Sequence, residues 1–280
     1  MAIKIITDST SDILKDEAEK LDIEVLPLHV FFDQDEFIPE ITITNEEFYE
    51  KLKTVKHLPT TAQVNPERFY NAFKTYTDNG DEIIGLFISS ELSGTYQSAI
   101  MAKERCESPN IHIIDTKAVT LTLKLMVVTA VKLRDKGVTA AEIIDQLSNI
   151  TGKIRLFAVI DTLKYLRMGG RLNAATAFVG EMLGIKPIMS VEEGKISSKG
   201  KARGFPGAIK EIANMIPKAP IDFSFPIILG QVNNEELFTE FKEFMQNHFN
   251  ITEFVKSVIG PVVGTHTGPN CVGLAYVEKI

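Results

Sequence analysis

Ser93-Gly94-Thr95, within the segment Ser89–Gln97 that follows the apolar run Glu82–Ile88, sets two hydroxyls around a glycine. Hydroxyl donors there, followed by the free N–H groups of a helix start, suit an anionic group; the same residues also serve as an ordinary helix cap. Gly94 would let the backbone approach a ligand closely. The run is not a Walker A loop, because the Gly-x4-Gly-Lys-Ser/Thr spacing and its lysine are absent. A second hydroxyl pair stands in Pro59-Thr60-Thr61-Ala62-Gln63, which reads as a donor loop or as a plain connection. Gly264-Thr265-His266-Thr267-Gly268-Pro269-Asn270 holds a histidine between two threonines in tight, glycine-flanked backbone. Such a histidine is a turn residue bonded locally or a titratable donor. Asp8-Ser9-Thr10-Ser11-Asp12 follows the opening apolar run Ile3–Thr7. That is the carboxyl end of a strand, where open α/β proteins place ligands, and it is also a good helix cap.

Two segments carry cations. Leu163–Arg171 (LKYLRMGGR) sets Lys164, Arg167 and Arg171 around a glycine pair, as a helix end does. Lys195–Lys210 has Lys195, Lys199, Lys201, Arg203 and Lys210 with no acidic residue, either a solvated loop or a local positive patch. The chain as a whole is acidic, with 30 basic against 37 acidic side chains and a net charge of −7. Nucleic acid is therefore not expected as a main partner. His29, His57, His112 and His248 make no HxxxH or HExxH spacing, so no metal is expected.

The elements that must position these groups are legible. Strands are predicted at Ile3–Thr7, Glu24–Val30, Glu82–Ile88 and Ile111–Ile114. Helices are predicted at Ser11–Leu21, Asn45–Lys53, Pro66–Thr77, Thr95–Cys106, Val119–Lys136 and Ala140–Leu147. Thr44 with Glu47 and Thr139 with Glu142 form capping boxes, and Asn65-Pro66 is a helix start. Beyond Thr151–Lys153 come a strand at Ile154–Ile160, a helical turn at Leu163–Met168 and a helix over Asn173–Leu183. A strand at Ile185–Val191 and a hairpin or loop at Gly194–Gly204 follow. A helix at Pro206–Ile216, a strand at Pro226–Val232, a helix at Glu235–Asn247 and strands near Glu253–Ile259 and Val272–Val277 complete the chain. Strand and helix in alternation argue for an α/β fold with mostly parallel sheets. With 280 residues the chain is expected to form two α/β lobes, 1–152 and 153–280, with the ligand between them.

DSTSD, TTAQ, SSELSGTYQSA, LKYLRMGGR, LGIKPI and GTHTGP, in this order across residues 7–269, resemble the DegV family of bacterial fatty-acid-binding proteins. The resemblance implies one DegV domain spanning about 3–279, with a long-chain fatty acid in a tunnel between the lobes and no cofactor. It also implies partners. A fatty-acid kinase catalytic subunit phosphorylates the presented carboxylate to an acyl phosphate, and an acyltransferase takes the product into phospholipid synthesis. By position, the family's head-group ligands fall on Thr61 and Ser93, with His266 beside them, and the adjoining Gly94, Thr95, Thr265 and Thr267 are further expected ligand-binding residues. Arg203 is the expected partner contact, and Phe157, Ile160 and Leu163 the expected tunnel wall. The chain departs from the family's usual text at Ala118–Val128 (AVTLTLKLMVV) and at Gly204-Phe205-Pro206-Gly207 after Arg203.

The chemistry is consistent with that reading. A carboxyl with a pKa near 4.3 arrives ionised and needs several donors if it is buried. At about 0.8 kcal/mol per buried CH₂, a sixteen-carbon tail contributes on the order of 10 kcal/mol before ordering costs. A competing reading makes Ser93 and His266 the nucleophile and base of an acyl hydrolase or transferase. Against it, Ser93 lies in no GxSxG elbow and no orienting carboxylate can be assigned. The two cysteines, the absence of a secretory signal and the absence of a spanning segment lead us to expect a cytoplasmic protein with brief, peripheral membrane contact.

Overall fold

The computed structural model describes residues 2–172 and 183–279. The first half is built on a fully parallel sheet in the order β2-β1-β6-β7, from β1 (Ile3–Asp8), β2 (Ile23–Leu26), β6 (Glu82–Phe87) and β7 (Ile111–Asp115). Its central strands are buried over most of their length because helices cover them. The helices pack in two pairs, α3 (Pro66–Asp78) with α4 (Thr95–Cys106), and α5 (Leu121–Asp135) with α6 (Ala140–Thr151). Thr44 and Thr139 close their capping boxes over α2 (Asn45–Thr54) and α6, and Asn65 caps α3.

Two expectations fail here for local reasons. The single strand Glu24–Val30 is split at Pro27, whose ring carries no N–H for a ladder. Its second part, β3 (His29–Phe32), leaves the parallel sheet and joins a small antiparallel one with β4 (Asp35–Phe37) and β5 (Thr60–Ala62). The expected loop around Thr61 is thus a strand, with Thr61 opposite Val30. The expected helix Ser11–Leu21 is reduced to α1 (Lys15–Lys20), because the Asp8 carboxylate captures the Thr10 N–H and Asp12 takes a left-handed conformation (φ 54°).

The second half forms one sheet in the order β10-β9-β8-β13-β11-β12. Its strands are β8 (Ile154–Val159), β9 (Ile185–Glu192), β10 (Lys195–Arg203), β11 (Ile228–Val232), β12 (Val255–Val258) and β13 (Cys271–Val277). The expectation of mostly parallel sheets holds for the first sheet and not for this one, where only β11 and β12 run parallel. The causes are topological. Glu193 and Gly194 both have positive φ, the two-residue hairpin turn that can join only antiparallel strands. The last strand, β13, then inserts antiparallel between β8 and β11. The basic run is β10 as far as Arg203, with Lys210 in the helix that follows; β10 is an edge strand with Lys199, Lys201 and Arg203 exposed, a charge pattern that discourages edge-to-edge pairing.

Helices α8 (Gly204–Met215) and α9 (Glu235–Phe249) cover one face of this sheet with Ile209, Ile212, Phe238 and Phe241. The other face meets α5, which also touches β1 and β6 of the parallel sheet. A helix held between two sheets is buried all round: Leu121 through Val131 are all buried, apolar except for Thr122, Lys124 and Thr129. Two short helices complete the described fold, α7 (Lys164–Met168) and α10 (Pro261–Thr267). The helix expected over Asn173–Leu183 falls on 173–182, outside the described residues. Among the described residues, no helix is long and apolar enough to cross a membrane.

Candidate functional site

A cavity of about 350 Å³ opens between the two sheets, at the lower end of the range for small-molecule pockets. Its walls are apolar. Leu156, Ala158 and Ile160 come from β8 and its C-terminal extension, Met189 from β9, Leu121 from the start of α5, and Val262 and Val263 from α10. The polar lining residues include Thr61, Ser93, Arg171, His266 and Thr267, with Thr10 and Thr120 on the wall.

Thr61, Ser93 and His266, chosen from three distant segments, therefore line one cavity. Thr61 reaches it from β5, and its Oγ1 lies 3.0 Å from His266 Nε2. His266 stands on the last turn of α10, not in a free turn as its glycine-flanked sequence suggested. Pro261 starts that helix and Gly268, with φ 73°, ends it. Gly169 lets the ring lie against the end of α7: a Cβ there would sit 2.3 Å from His266 Nδ1. Burial, and then the charge of Arg171, pushes the imidazole pKa down to about 4. At neutral pH His266 is therefore uncharged, a donor or acceptor and not a counter-ion. The cation at this end is Arg171, which donates to the Gly169 carbonyl at 2.6 Å. The sequence had placed Arg171 in a helix-end motif rather than at the site.

Ser93 precedes α4, whose first-turn N–H groups begin at Thr95. Ser93 Oγ lies 3.0 Å from Thr95 Oγ1 and accepts the Thr95 N–H at 3.2 Å. Gly94 lines the cavity, but the room left by its missing side chain is taken by Gln63: a Cβ would fall 2.0 Å from Gln63 Oε1. Thr95 and Thr265 are buried and do not line the cavity, and Thr265 bonds back to the Pro261 carbonyl at 2.9 Å. Asp8 is structural, accepting from Thr10 and from the Ile88 N–H at 2.8 Å, while burial pushes its carboxyl up.

Of the three expected wall residues, Ile160 lines the cavity and Leu163 is buried without lining it. Phe157 belongs to the opposite face. It packs with Val159, Tyr276 and α8 in the second core, because strand side chains alternate and its neighbours Leu156 and Ala158 point to the cavity. Arg203 is exposed at the end of β10. Among the described residues no group of three or more His, Cys, Asp or Glu could hold a metal ion.

The arrangement is a greasy cavity with hydroxyl donors, a neutral imidazole and one guanidinium at one end. It fits an amphiphile with an anionic head. It does not form a Ser–His–carboxylate relay. The Ser93 hydroxyl pairs with Thr95, His266 Nε2 pairs with Thr61, and buried His266 Nδ1 has no hydrogen-bond partner among the described residues.

Comparison with known proteins adds an independent line. A family model described as "uncharacterised protein, DegV family" matches residues 2–279. A DegV domain-containing protein of Clostridium perfringens is 35% identical over 277 residues, covering 99% of each chain. The solved structure of DegV, a fatty acid binding protein from Bacillus subtilis, is similar with 30% identity and a TM-score of 0.86 over 100% of both chains. A stearic acid-binding protein from Eubacterium ventriosum is similar with 26% identity and a TM-score of 0.89, over 100% of this chain and 99% of that one.

Proposed function

Because the chain belongs to the DegV family, we propose that it binds one long-chain fatty acid, its tail in the apolar cavity and its carboxylate at Thr61, Ser93 and His266. The observation that carries this reading is the placement of those three side chains at one cavity whose other walls are Leu121, Leu156, Ala158, Ile160 and Val263. If His266 Nε2 donates to Thr61, the threonine hydroxyl is free to donate to the ligand, and Ser93 donates beside it. Arg171 at the rim supplies the countercharge that a neutral His266 does not. The solved relatives that bind fatty acids support the ligand class.

The carboxylate so held is presented, in this reading, to a separate fatty-acid kinase for conversion to an acyl phosphate, with an acyltransferase taking the product toward phospholipid synthesis. Hydroxyl donors leave a carboxylate oxygen less tightly held than a bidentate arginine would, so it can accept a phosphoryl group. The protein then acts as a carrier in the cytoplasm, and Arg203, exposed on the basic edge strand, is the contact for the kinase.

Denaturing extraction of the purified protein followed by mass spectrometry tests the ligand. Fatty acid near one per chain is expected. A protein that is empty and also fails to take up palmitate sinks the proposal. Adding a fatty-acid kinase and ATP tests delivery, with acyl phosphate as the expected product.

A further inference from the structure

Asp12 is 3% exposed, and its carboxylate reaches two elements that form the cavity. Oδ1 accepts the N–H of Gly260 at 2.8 Å, across 248 residues of sequence; Gly260 immediately precedes α10, which has no side-chain cap of its own. Oδ2 accepts the Thr120 hydroxyl at 2.5 Å, and Thr120 immediately precedes α5. Thr120 lines the cavity with φ 52° and ψ −126°, a conformation that residues other than glycine rarely adopt. Its N–H is fixed as well, donating to the Thr10 carbonyl at 2.7 Å. Six residues after Gly260, on the same short helix, His266 meets Thr61. Tyr49 provides a second anchor, donating to the Ile259 carbonyl at 3.0 Å with its ring against Gly264.

We propose that Asp12 is a positioning residue of the carboxylate site: it fixes the start of α10 and the Thr120 junction, and so sets where His266 stands relative to Thr61 and the bound head group. The ligand part of this inference rests on the fatty-acid reading; the placement of His266 does not. One carboxylate thus joins the Thr120 junction of the first half to the start of a helix near the chain's end, beside the Tyr49 anchor.

The carboxylate faces Lys124 on α5, Asp8 on β1, Tyr49 on α2 and Cys271 on β13. Lys124 donates to the Asp12 carbonyl at 3.2 Å and pairs with Glu17 of α1 at 2.6 Å, so its charge is shared. Burial pushes the Asp12 carboxyl up to about 7, against the pull of Thr120, Gly260 and Lys124. Protonation weakens the charge-assisted bond to Gly260 and turns Oδ2 from an acceptor into a donor toward Thr120. Asparagine copies that protonated form, with Oδ1 accepting from Gly260 and Nδ2 donating to Thr120 Oγ1.

The experiment compares wild type, Asp12→Ala, Asp12→Asn and Ile84→Val, a core change on β6. It reads the His266 ring resonances in ligand-free protein by NMR and the rate at which bound palmitate passes to phosphatidylcholine vesicles. Asp12→Ala should shift the His266 resonances and speed release at least tenfold, while Ile84→Val changes neither beyond its effect on Tm. Wild-type release should slow severalfold from pH 6 to pH 8, and Asp12→Asn should release at one rate across that range, close to wild type at pH 6. Release that follows Tm alone in all four proteins, or a wild-type rate flat from pH 6 to 8, overturns the inference. So do His266 resonances that superpose in wild type and both Asp12 variants. If Asp12→Ala does not fold, the pH profiles of wild type and Asp12→Asn decide. A wild type that binds no palmitate refutes the fatty-acid reading, and the His266 resonances alone then decide the positioning role.

Discussion

Thr61 Oγ1 and His266 Nε2, 205 residues apart in sequence, lie 3.0 Å apart at one end of the cavity. The bond joins an edge strand of the small sheet to the last turn of α10, so this end of the cavity is complete only when both halves of the chain are in place. Replacing Thr61 by Val keeps the shape and removes the hydroxyl, leaving a buried ring nitrogen without a partner. Fatty-acid retention should weaken by about 1–3 kcal/mol, and Ser93→Ala by a similar amount. The proposed function has both hydroxyls serving one carboxylate, and on that reading the double variant should lose less than the sum of the singles. Competitive displacement of a fluorescent fatty acid measures all four proteins; additive losses would place the two hydroxyls at separate sites.

Leu156 and Phe157 are neighbours on β8 that serve different cores. Phe157→Ala should lower stability by about 3–5 kcal/mol by emptying the second core, with the ligand profile unchanged. Leu156→Ala should cost about 2–5 kcal/mol and enlarge the cavity, so that bulkier acyl chains are recovered with the protein. Urea unfolding and mass spectrometry of extracted lipid separate the two. An altered lipid profile in Phe157→Ala and not in Leu156→Ala would reverse the assignment of faces.

Why the sequence misassigned Phe157 is physical. Apart from Arg155, Ile154–Ile160 is apolar on both parities because helices bury both faces of the strand, so the period of two carries no phase. The parallel sheet, by contrast, was legible because its helices announce themselves: Thr44–Glu47, Asn65–Pro66 and Thr139–Glu142 all close as their spacing implies. Thr61, Ser93 and His266 are singled out by motif order, and no local signal shows that they line one cavity. Arg171 reads locally as a helix-end cation, and only the fold turns it toward the cavity. Asp12 reads as a cap, and its partners Thr120 and Gly260 lie too far away in sequence for spacing to reveal them.

Gly230 on β11 and Gly273 on β13 face each other in register and form a notch that holds the Leu121 side chain. A Cβ on Gly230 would fall 2.3 Å from Leu121 Cδ2. The atom that must yield is the end of a flexible side chain, and Leu121 also lines the cavity. Gly230→Ala should therefore cost about 1–3 kcal/mol of stability and push Leu121 into the ligand's space. Shorter fatty acids should then be retained over longer ones, which extraction and mass spectrometry read directly. A lipid profile identical to wild type would mean that Leu121 moves elsewhere.

His266 and Asp12 should bend the stability–pH curve in opposite directions. His266 has its pKa lowered to about 4 from 6.5 by burial, so below 6.5 the unfolded chain binds the proton more readily than the folded one. Its contribution is present above pH 6.5 and is lost as pH falls toward 4. Asp12 has its pKa raised from 3.8 to about 7, so the folded protein binds that proton more readily. Its contribution is present below pH 3.8 and is lost as pH rises through 7. In wild type the two largely offset each other across pH 4–6.5, each being on the order of 3 kcal/mol at about 1.4 kcal/mol per pKa unit. His266→Gln leaves the aspartate effect exposed, so its stability relative to wild type should fall as pH rises from 4 to 6.5. Asp12→Asn leaves the histidine effect, and its stability relative to wild type should rise over the same interval. Urea unfolding at half-unit steps of pH checks both slopes. If either variant's curve runs parallel to wild type, the corresponding group is not titrating as its buried environment dictates.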